Sequence, residues 1–147
     1  MSKNKNILIA NGVNLDLLGT REPEIYGHDN LDVLKKNLNK SAGFTLEFFQ
    51  SNSEEKFLEK ITGPWAGVVL NPGAWTHTSL ALADRIRGLN FPFVEVHLSN
   101  IFARDKMRHE SLTASACIGL VCGFGLNGYA SALLLLTDFI NKNGGRA

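Results

Sequence analysis

The chain has 147 residues, and its 15 basic against 14 acidic side chains leave a formal net charge of +1 with neutral histidines. This length fits one domain, residues 1–147, with a sizeable core, and the composition excludes a disordered or polybasic protein. The lack of a Lys/Arg cluster argues against a nucleic-acid partner, and the apolar runs are too short for a signal peptide or a membrane span.

Short apolar runs alternate with segments of helical spacing along the whole chain. The apolar runs predict five strands, at 6–10, 44–49, 66–70, 91–97 and 117–122. The helical spacing predicts four helices, at 31–42, around 57–61, at 80–87 and at 126–141. Asn30 or Asp29 is expected to cap the first helix and Gly43 to end it. This alternation predicts an α/β fold, a three-layer sandwich around a five-stranded parallel sheet.

Two loops carry most of the polar residues. Residues 11–27 form a long segment after the first strand, and loops of this length in compact domains are usually functional, often as lids. Residues 71–79 follow the third strand with amide, hydroxyl and imidazole groups. Ligands bind at the carboxyl ends of strands in such sheets, so we expect half of an active site here.

The fourth strand ends with Glu95 and His97, which are two positions apart and therefore lie on one face. A carboxylate beside an imidazole fixes its tautomer, as an oriented general acid or base requires. The alternative is a buried charge pair that only holds the strand end. A Glu-x-His pair by itself does not distinguish them.

Tyr26 shares its loop with Arg21, and Arg108 could approach from the loop after the fourth strand. One interpretation is a surface aromatic packed against guanidinium groups. The functional interpretation requires an ionised phenol, and each unit of pKa depression from about 10 requires roughly 1.4 kcal/mol from nearby positive charge. Arg104 fits either a solvated helix charge or a partner for Glu95.

Other polar residues point to small-molecule chemistry. His77 is either a plain helix-start residue or a ligand contact, and its neighbours Asn71 and Gly73 favour the contact. Asp84 is ambiguous. Neither a G-x-G-x-x-G spacing nor a P-loop occurs, which disfavours a nucleotide, and no residue set has metal-ligand spacing. We expect no cofactor and no metal.

The two cysteines, Cys117 and Cys122, are an odd number of positions apart. In one strand they would point to opposite faces and could not pair. We therefore expect a reduced, cytoplasmic environment.

Four blocks of sequence resemble the type II 3-dehydroquinate dehydratases, and the resemblance covers nearly the whole chain. The blocks are Asn11-Gly12-Val13-Asn14-Leu15 with Gly19-Thr20-Arg21-Glu22-Pro23-Glu24-Ile25-Tyr26-Gly27, Gln50-Ser51-Asn52, Asn71-Pro72-Gly73-Ala74-Trp75-Thr76-His77-Thr78-Ser79, and Glu95-Val96-His97-Leu98-Ser99-Asn100 with Ala103-Arg104 and Arg108. The resemblance implies a flavodoxin-like fold. It also implies dehydration of 3-dehydroquinate to 3-dehydroshikimate in the shikimate pathway, without a cofactor, by a cytoplasmic homododecamer built from trimers.

The resemblance also implies roles for individual residues. Tyr26, as phenolate, would remove a proton from the carbon beside the ketone, and the elimination would be anti, through an enolate. The other catalytic assignments are a lid arginine at Arg21, support of the ionised Tyr26 by Arg108, an enolate-binding water on Asn14, and protonation of the leaving hydroxyl by His97, oriented by Glu95. The substrate-binding assignments are Asn71, His77, Leu98, Ser99 and Arg108, with Asp84 acting near a neighbouring subunit's site.

The sequence departs from the family pattern at a few positions outside these roles. They are Val13 in place of a usual proline, Ser53-Glu54-Glu55 after the second block, Phe102 in place of a common histidine, and the large Trp75. Val13 and Trp75 are expected to affect lid mobility and turnover.

Two rival functions use the same fold. One is a non-catalytic small-acid-binding or signalling domain, but phospho-acceptor receivers need acidic residues at the first strand end, where this chain has Asn11 and Asn14. The other is a family member that binds such acids without turnover. Every proposed catalytic position is filled, which argues against it.

Overall fold

The computed structural model describes residues 3–38 and 43–144. Five strands form one parallel sheet in the order β2-β1-β3-β4-β5. They are β1 (Asn6–Asn11), β2 (Thr45–Gln50), β3 (Gly67–Asn71), β4 (Phe93–His97) and β5 (Gly119–Cys122). All five predicted strands are confirmed within a few residues, and the parallel sheet is the one predicted.

Six helices accompany the sheet in the described part of the chain. They are α1 (Pro23–Tyr26), α2 (Leu31–Leu38), α3 (Glu54–Ile61), α4 (Trp75–Thr78), α5 (Leu80–Arg87) and α6 (Asn127–Asn143). The predicted helix at 31–42 is present to residue 38, and its last four residues lie outside the described part. As predicted, Asn30 caps α2, accepting the N–H of Val33 at 3.1 Å. The short helices α1 and α4 lie within stretches predicted as loops.

The fifth strand starts two residues later than predicted. A 3-10 turn, Ala114–Ala116, comes just before it, and Cys117 N–H completes that turn by bonding to the carbonyl of Ala114. Cys117 therefore lies outside β5, and both cysteines are free thiols. None of the described helices is long and apolar enough to cross a membrane.

Two apolar layers lie on opposite faces of the sheet. Successive residues of β1 divide between them: Ile7 and Ile9 pack with residues of α2 and α6, while Leu8 and Ala10 pack with residues of α3 and α5. This alternation is the two-residue period of a strand that is buried on both sides. The three-layer sandwich is thereby confirmed.

The strand order places the site. The chain leaves β1 toward β2 and returns to β3 on the other side, so the loops after β1 and β3 diverge from adjacent strand ends and open a crevice. At their starting points the two loops are in close contact, and this contact requires a glycine at position 12. A Cβ there would lie 2.4 Å from the Pro72 carbonyl oxygen and 2.9 Å from the Trp75 ring. Only glycine fits this approach.

Candidate active site

A small cavity of about 90 Å³ opens at the carboxyl ends of the strands. Nine residues predicted for the site line it: Asn14, Arg21, Tyr26, Asn71, His77, His97, Leu98, Ser99 and Arg108. They come from the loops after β1, β3 and β4, which are distant in sequence. A larger cavity of about 820 Å³ lies at the opposite end of the strands, and its described lining includes no histidine, tyrosine or carboxylate.

Tyr26 ends α1 and is surrounded by positive charge. Arg104 donates a hydrogen bond from Nη1 to the Tyr26 hydroxyl at 2.6 Å, and its guanidinium carbon lies 5.3 Å from the ring centroid. The Arg21 guanidinium carbon lies 6.0 Å from the same centroid. These contacts place two cations against one phenol.

The role of Arg104 differs from both sequence interpretations. It is neither a free helix charge nor a partner of Glu95, because a 3-10 turn at Ile101–Ala103 brings it to Tyr26 instead. Arg108 also lines the cavity, but its Nε lies 3.2 Å from Asp105 Oδ1, and in the described contacts the guanidinium bonded to the phenol is that of Arg104. The position of Arg104 in the fourth sequence block was the signal that could have found it.

Glu95 and His97 lie on the same face of β4, as predicted. His97 Nε2 donates to Glu95 Oε2 at 2.9 Å, which leaves Nδ1 as the ring nitrogen available to the cavity. Two further hydroxyls donate to the carboxylate: Ser111 at 2.8 Å and Thr113 through a short hydrogen bond. Burial by itself raises the pKa of Glu95, but the hydrogen bond from His97, the charge of His97 and the hydrogen bonds from Thr113 and Ser111 together lower it below its ordinary value. Glu95 is therefore an anion behind the imidazole, and not itself part of the cavity lining.

Asn71 and His77 are held by contacts that fix their polar atoms. Asn71 Oδ1 accepts the Gly73 N–H at 3.1 Å, and its Nδ2 donates to the Tyr129 hydroxyl at 2.9 Å. His77 Nδ1 donates to the Glu110 carbonyl at 2.6 Å, so Nε2 is the unprotonated nitrogen of the neutral ring. Sequence reasoning missed Tyr129, whose buried position on α6 gives no polar signal.

The Asn14 backbone is left-handed, with φ of 67°. Its N–H donates to Asn52 Oδ1 at 2.9 Å, and Asn52 Nδ2 donates to Asp16. Gln50 Nε2 also bonds to Asn52 and to the Gly12 carbonyl. The second sequence block therefore supports the loop that carries Asn14.

Asp84 is not brought to the cavity. It is exposed on α5, where its Oδ1 lies 3.4 Å from Arg87 Nη1. Within residues 3–38 and 43–144, no group of three histidine, cysteine or acidic side chains is arranged to hold a metal ion.

Comparison with known proteins gives consistent results. Residues 5–137 match the family model described as Dehydroquinase class II. The 3-dehydroquinate dehydratase of Prochlorococcus marinus subsp. pastoris is 46% identical over 144 residues, covering 94% of this chain and 99% of the relative. That of Proteus mirabilis is 45% identical over 139 residues, covering 90% and 95%.

Solved structures agree with these relatives. The type II dehydroquinase from Butyrivibrio crossotus has a TM-score of 0.87 at 38% identity, covering 92% of this chain and 99% of that one. The type II dehydroquinase from Propionibacterium acnes has a TM-score of 0.84 at 40% identity, covering 94% and 100%.

Proposed function

This chain belongs to the class II dehydroquinase family, and from that premise we propose how its residues act. The chain is a hydro-lyase that converts 3-dehydroquinate to 3-dehydroshikimate and water, a reaction of the shikimate pathway. The observation that carries the residue assignments is one cavity lined by both Tyr26, bonded to Arg104, and His97, bonded to the Glu95 carboxylate.

The first step is proton removal. Tyr26, as phenolate, takes a proton from the carbon beside the ketone, and the electron pair of that C–H bond moves to the ketone oxygen as an enolate. Arg104 and Arg21 support the phenolate, because opposite charge at this distance favours the ionised oxygen. A water bound by Asn14 stabilises the enolate oxygen by hydrogen bonding.

The second step is loss of the hydroxyl, anti to the proton removed. The enolate re-forms the ketone, the new carbon–carbon double bond expels the hydroxyl, and His97 gives it a proton so that it leaves as water. His97 acts in its protonated form: its Nε2–H is donated to the Glu95 carboxylate, and the Nδ1 proton, which faces the cavity, is the one given to the hydroxyl. Proton exchange with solvent then resets Tyr26 and His97.

The remaining cavity residues hold a hydroxylated carboxylate. Arg108 supplies positive charge, the Leu98–Ser99 segment supplies backbone and hydroxyl groups, and His77 offers Nε2 as an acceptor. Asn71 completes this polar surface. Such a set suits a cyclic polyhydroxy acid, because it pairs one anion and several hydroxyls.

We further propose a cytoplasmic homododecamer, a tetramer of trimers, in which Asp84 approaches a neighbouring subunit's site. Large apolar side chains exposed on the single chain support association of copies, since burying them against another copy would remove apolar surface from water. They include Leu80, Phe102, Met107, Phe124, Leu134 and Leu135. Light scattering after gel filtration tests this: a mass of one or three chains would contradict the dodecamer.

A direct assay tests the function. The purified chain is mixed with 3-dehydroquinate, and the conjugated product is followed in the near ultraviolet, with and without a chelator. We expect turnover at the same rate in both. A protein that binds the substrate but forms no product would be a non-catalytic binding domain, and loss of activity with chelator would require a metal.

A further inference from the structure

Glu95 has an unusual environment for a carboxylate. It is the middle residue of β4, and its side chain has 0% exposure. Among the described ion pairs its partner is His97, and no lysine or arginine is paired with it. A buried carboxylate without a lysine or arginine partner is costly unless hydrogen bonds replace the lost water. The groups that supply those bonds therefore decide whether Glu95 stays ionised.

Three hydroxyls replace the water. Ser111 Oγ donates to Glu95 Oε2, and Thr113 Oγ1 donates to Oε1. A hydroxyl has one proton, so both are committed to the carboxylate. Thr76 Oγ1 lies 2.6 Å from Thr113 Oγ1 and 2.9 Å from Ser111 Oγ, so its own proton must point toward this pair.

This donor chain runs toward Glu95 from the helix that follows β3. Thr76 donates into the Ser111–Thr113 pair, and that pair donates to the carboxylate. Ser111 Oγ also accepts the Ala114 N–H at 3.0 Å, which fixes its orientation. Aligned hydrogen bonds polarise one another in a low-dielectric interior, so the chain strengthens the bonds at its end.

Thr113 is the member with no other evident function. Its side chain has 0% exposure, and it is absent from the lining of the catalytic cavity. At a fully buried position an isosteric valine would avoid the cost of burying a hydroxyl. The hydroxyl is therefore explained by the carboxylate that it contacts, since a role in packing would be served as well by a methyl group.

We propose that Thr113 is a positioning residue for the dehydration, acting with Ser111 and Thr76 to hold Glu95 as an oriented anion and thereby to orient His97. The proposal rests on the proposed role of His97 as the proton donor. It goes beyond the Glu-x-His pair because it names the hydroxyl groups that keep Glu95 ionised and fix its orientation toward His97.

A specific consequence follows for pH dependence. Among the described residues, the titratable groups that face Glu95 are His97 and Cys117. Removing the Thr113 hydroxyl takes away one of the bonds that oppose the effect of burial, so Glu95 accepts a proton at higher pH. The acidic limb of the activity profile should then move to higher pH, because a neutral Glu95 no longer stabilises the charged imidazole.

The test compares Thr113→Val, Thr113→Ser and Thr137→Val. Thr137 is a matched control, because the described hydrogen bond of its hydroxyl goes to the Leu134 carbonyl within α6 and not toward the cavity. For Thr113→Val we expect kcat to fall about tenfold, KM to change less than about twofold, and the acidic limb to move upward. Thr113→Ser restores the hydroxyl and should restore the profile, and Thr137→Val should match the wild type.

Carbon NMR of the labelled Glu95 carboxyl gives a second readout that does not depend on turnover. Its titration midpoint should rise in Thr113→Val and return in Thr113→Ser. An unchanged kcat, profile and midpoint in a folded Thr113→Val would overturn the proposal. If Thr113→Val does not fold, Ser111→Ala replaces it, and we again expect a lower kcat and a higher titration midpoint of Glu95. An unchanged midpoint in Ser111→Ala would likewise overturn the proposal. A wild type without turnover would contradict the proposed function, while the carboxyl titration would still decide this one.

Discussion

Arg104 donates a hydrogen bond to the hydroxyl of Tyr26 at 2.6 Å, joining two loops that are 78 residues apart in the chain. The contact ties the long loop after β1 to the loop after β4 and so closes one side of the cavity. It also makes Arg104 the nearest cation to the oxygen that the proposed mechanism needs as a base. The Arg104–Tyr26 contact therefore both holds the two loops together and places a positive charge beside the proposed base.

Tyr26→Phe should reduce turnover at least about a thousandfold, because it removes the oxygen that accepts the proton. The ring and its packing are retained, so affinity for the product 3-dehydroshikimate should stay within a few-fold. Steady-state assays and calorimetry measure the two quantities. Near-normal turnover would show that another group is the base.

Arg104→Gln should lower kcat by about tenfold or more, because a neutral amide stabilises a phenolate less than a guanidinium does. Arg85→Gln is the control, since Arg85 lies near the C-terminal end of α5 and donates a hydrogen bond to the exposed hydroxyl of Thr62, outside the cavity lining.

Arg108→Gln should instead act mainly on KM, because Arg108 is proposed to be a cation that binds the substrate. Equal effects of the Arg104 and Arg108 variants on both constants would contradict this separation.

His97→Ala should separate the two chemical steps. Proton removal by Tyr26 still occurs, but the hydroxyl lacks its proton donor, so the enolate returns to substrate. In deuterated water the substrate's alpha proton should therefore exchange without product, which mass spectrometry detects. The loss of exchange together with product would indicate a binding defect instead.

Tyr129→Phe should destabilise the protein by about 1–3 kcal/mol, because it leaves buried polar groups without partners. The Tyr129 hydroxyl donates to Asn11 at 2.5 Å and accepts from Asn71 at 2.9 Å. Burial raises the pKa of Tyr129, so it stays neutral in this role. Denaturant unfolding measures the loss, and an increase in KM should accompany it as Asn71 loses its fixed orientation. Wild-type stability would mean that water replaces the hydroxyl.

Glu95→Gln should change how stability depends on pH. The pKa of Glu95 is lowered in the folded protein from an ordinary value of 4.5. Its ionised form therefore stabilises the fold fully above that value, and the contribution is lost as the pH falls through the folded pKa. The difference in free energy of unfolding between the wild type and Glu95→Gln should become smaller below pH 4.5. Denaturant unfolding at several pH values measures this difference. A constant difference between the two proteins would contradict the lowered pKa.

Much of the fold follows from local patterns in the sequence. Apolar runs, capping residues and the alternation of strand and helix predicted all five strands and the four longer helices, because burial on a strand or helix face leaves a periodic trace. The same reasoning predicted that Glu95 and His97 share a face, since a strand has a two-residue period. The family blocks predicted that Tyr26 and His97 belong to one site.

Contacts between distant loops could not be read from periodicity. The partner of Tyr26 is Arg104, and the partners of Glu95 include Ser111 and Thr113, which lie on turns with no repeating pattern. Tyr129 reaches Asn11 across 118 residues, from a helix whose sequence indicates only burial. The sequence by itself determined which segments are buried and which side chains have reactive chemistry. Only the tertiary structure decided which of them touch, because that depends on where each loop turns after leaving its strand.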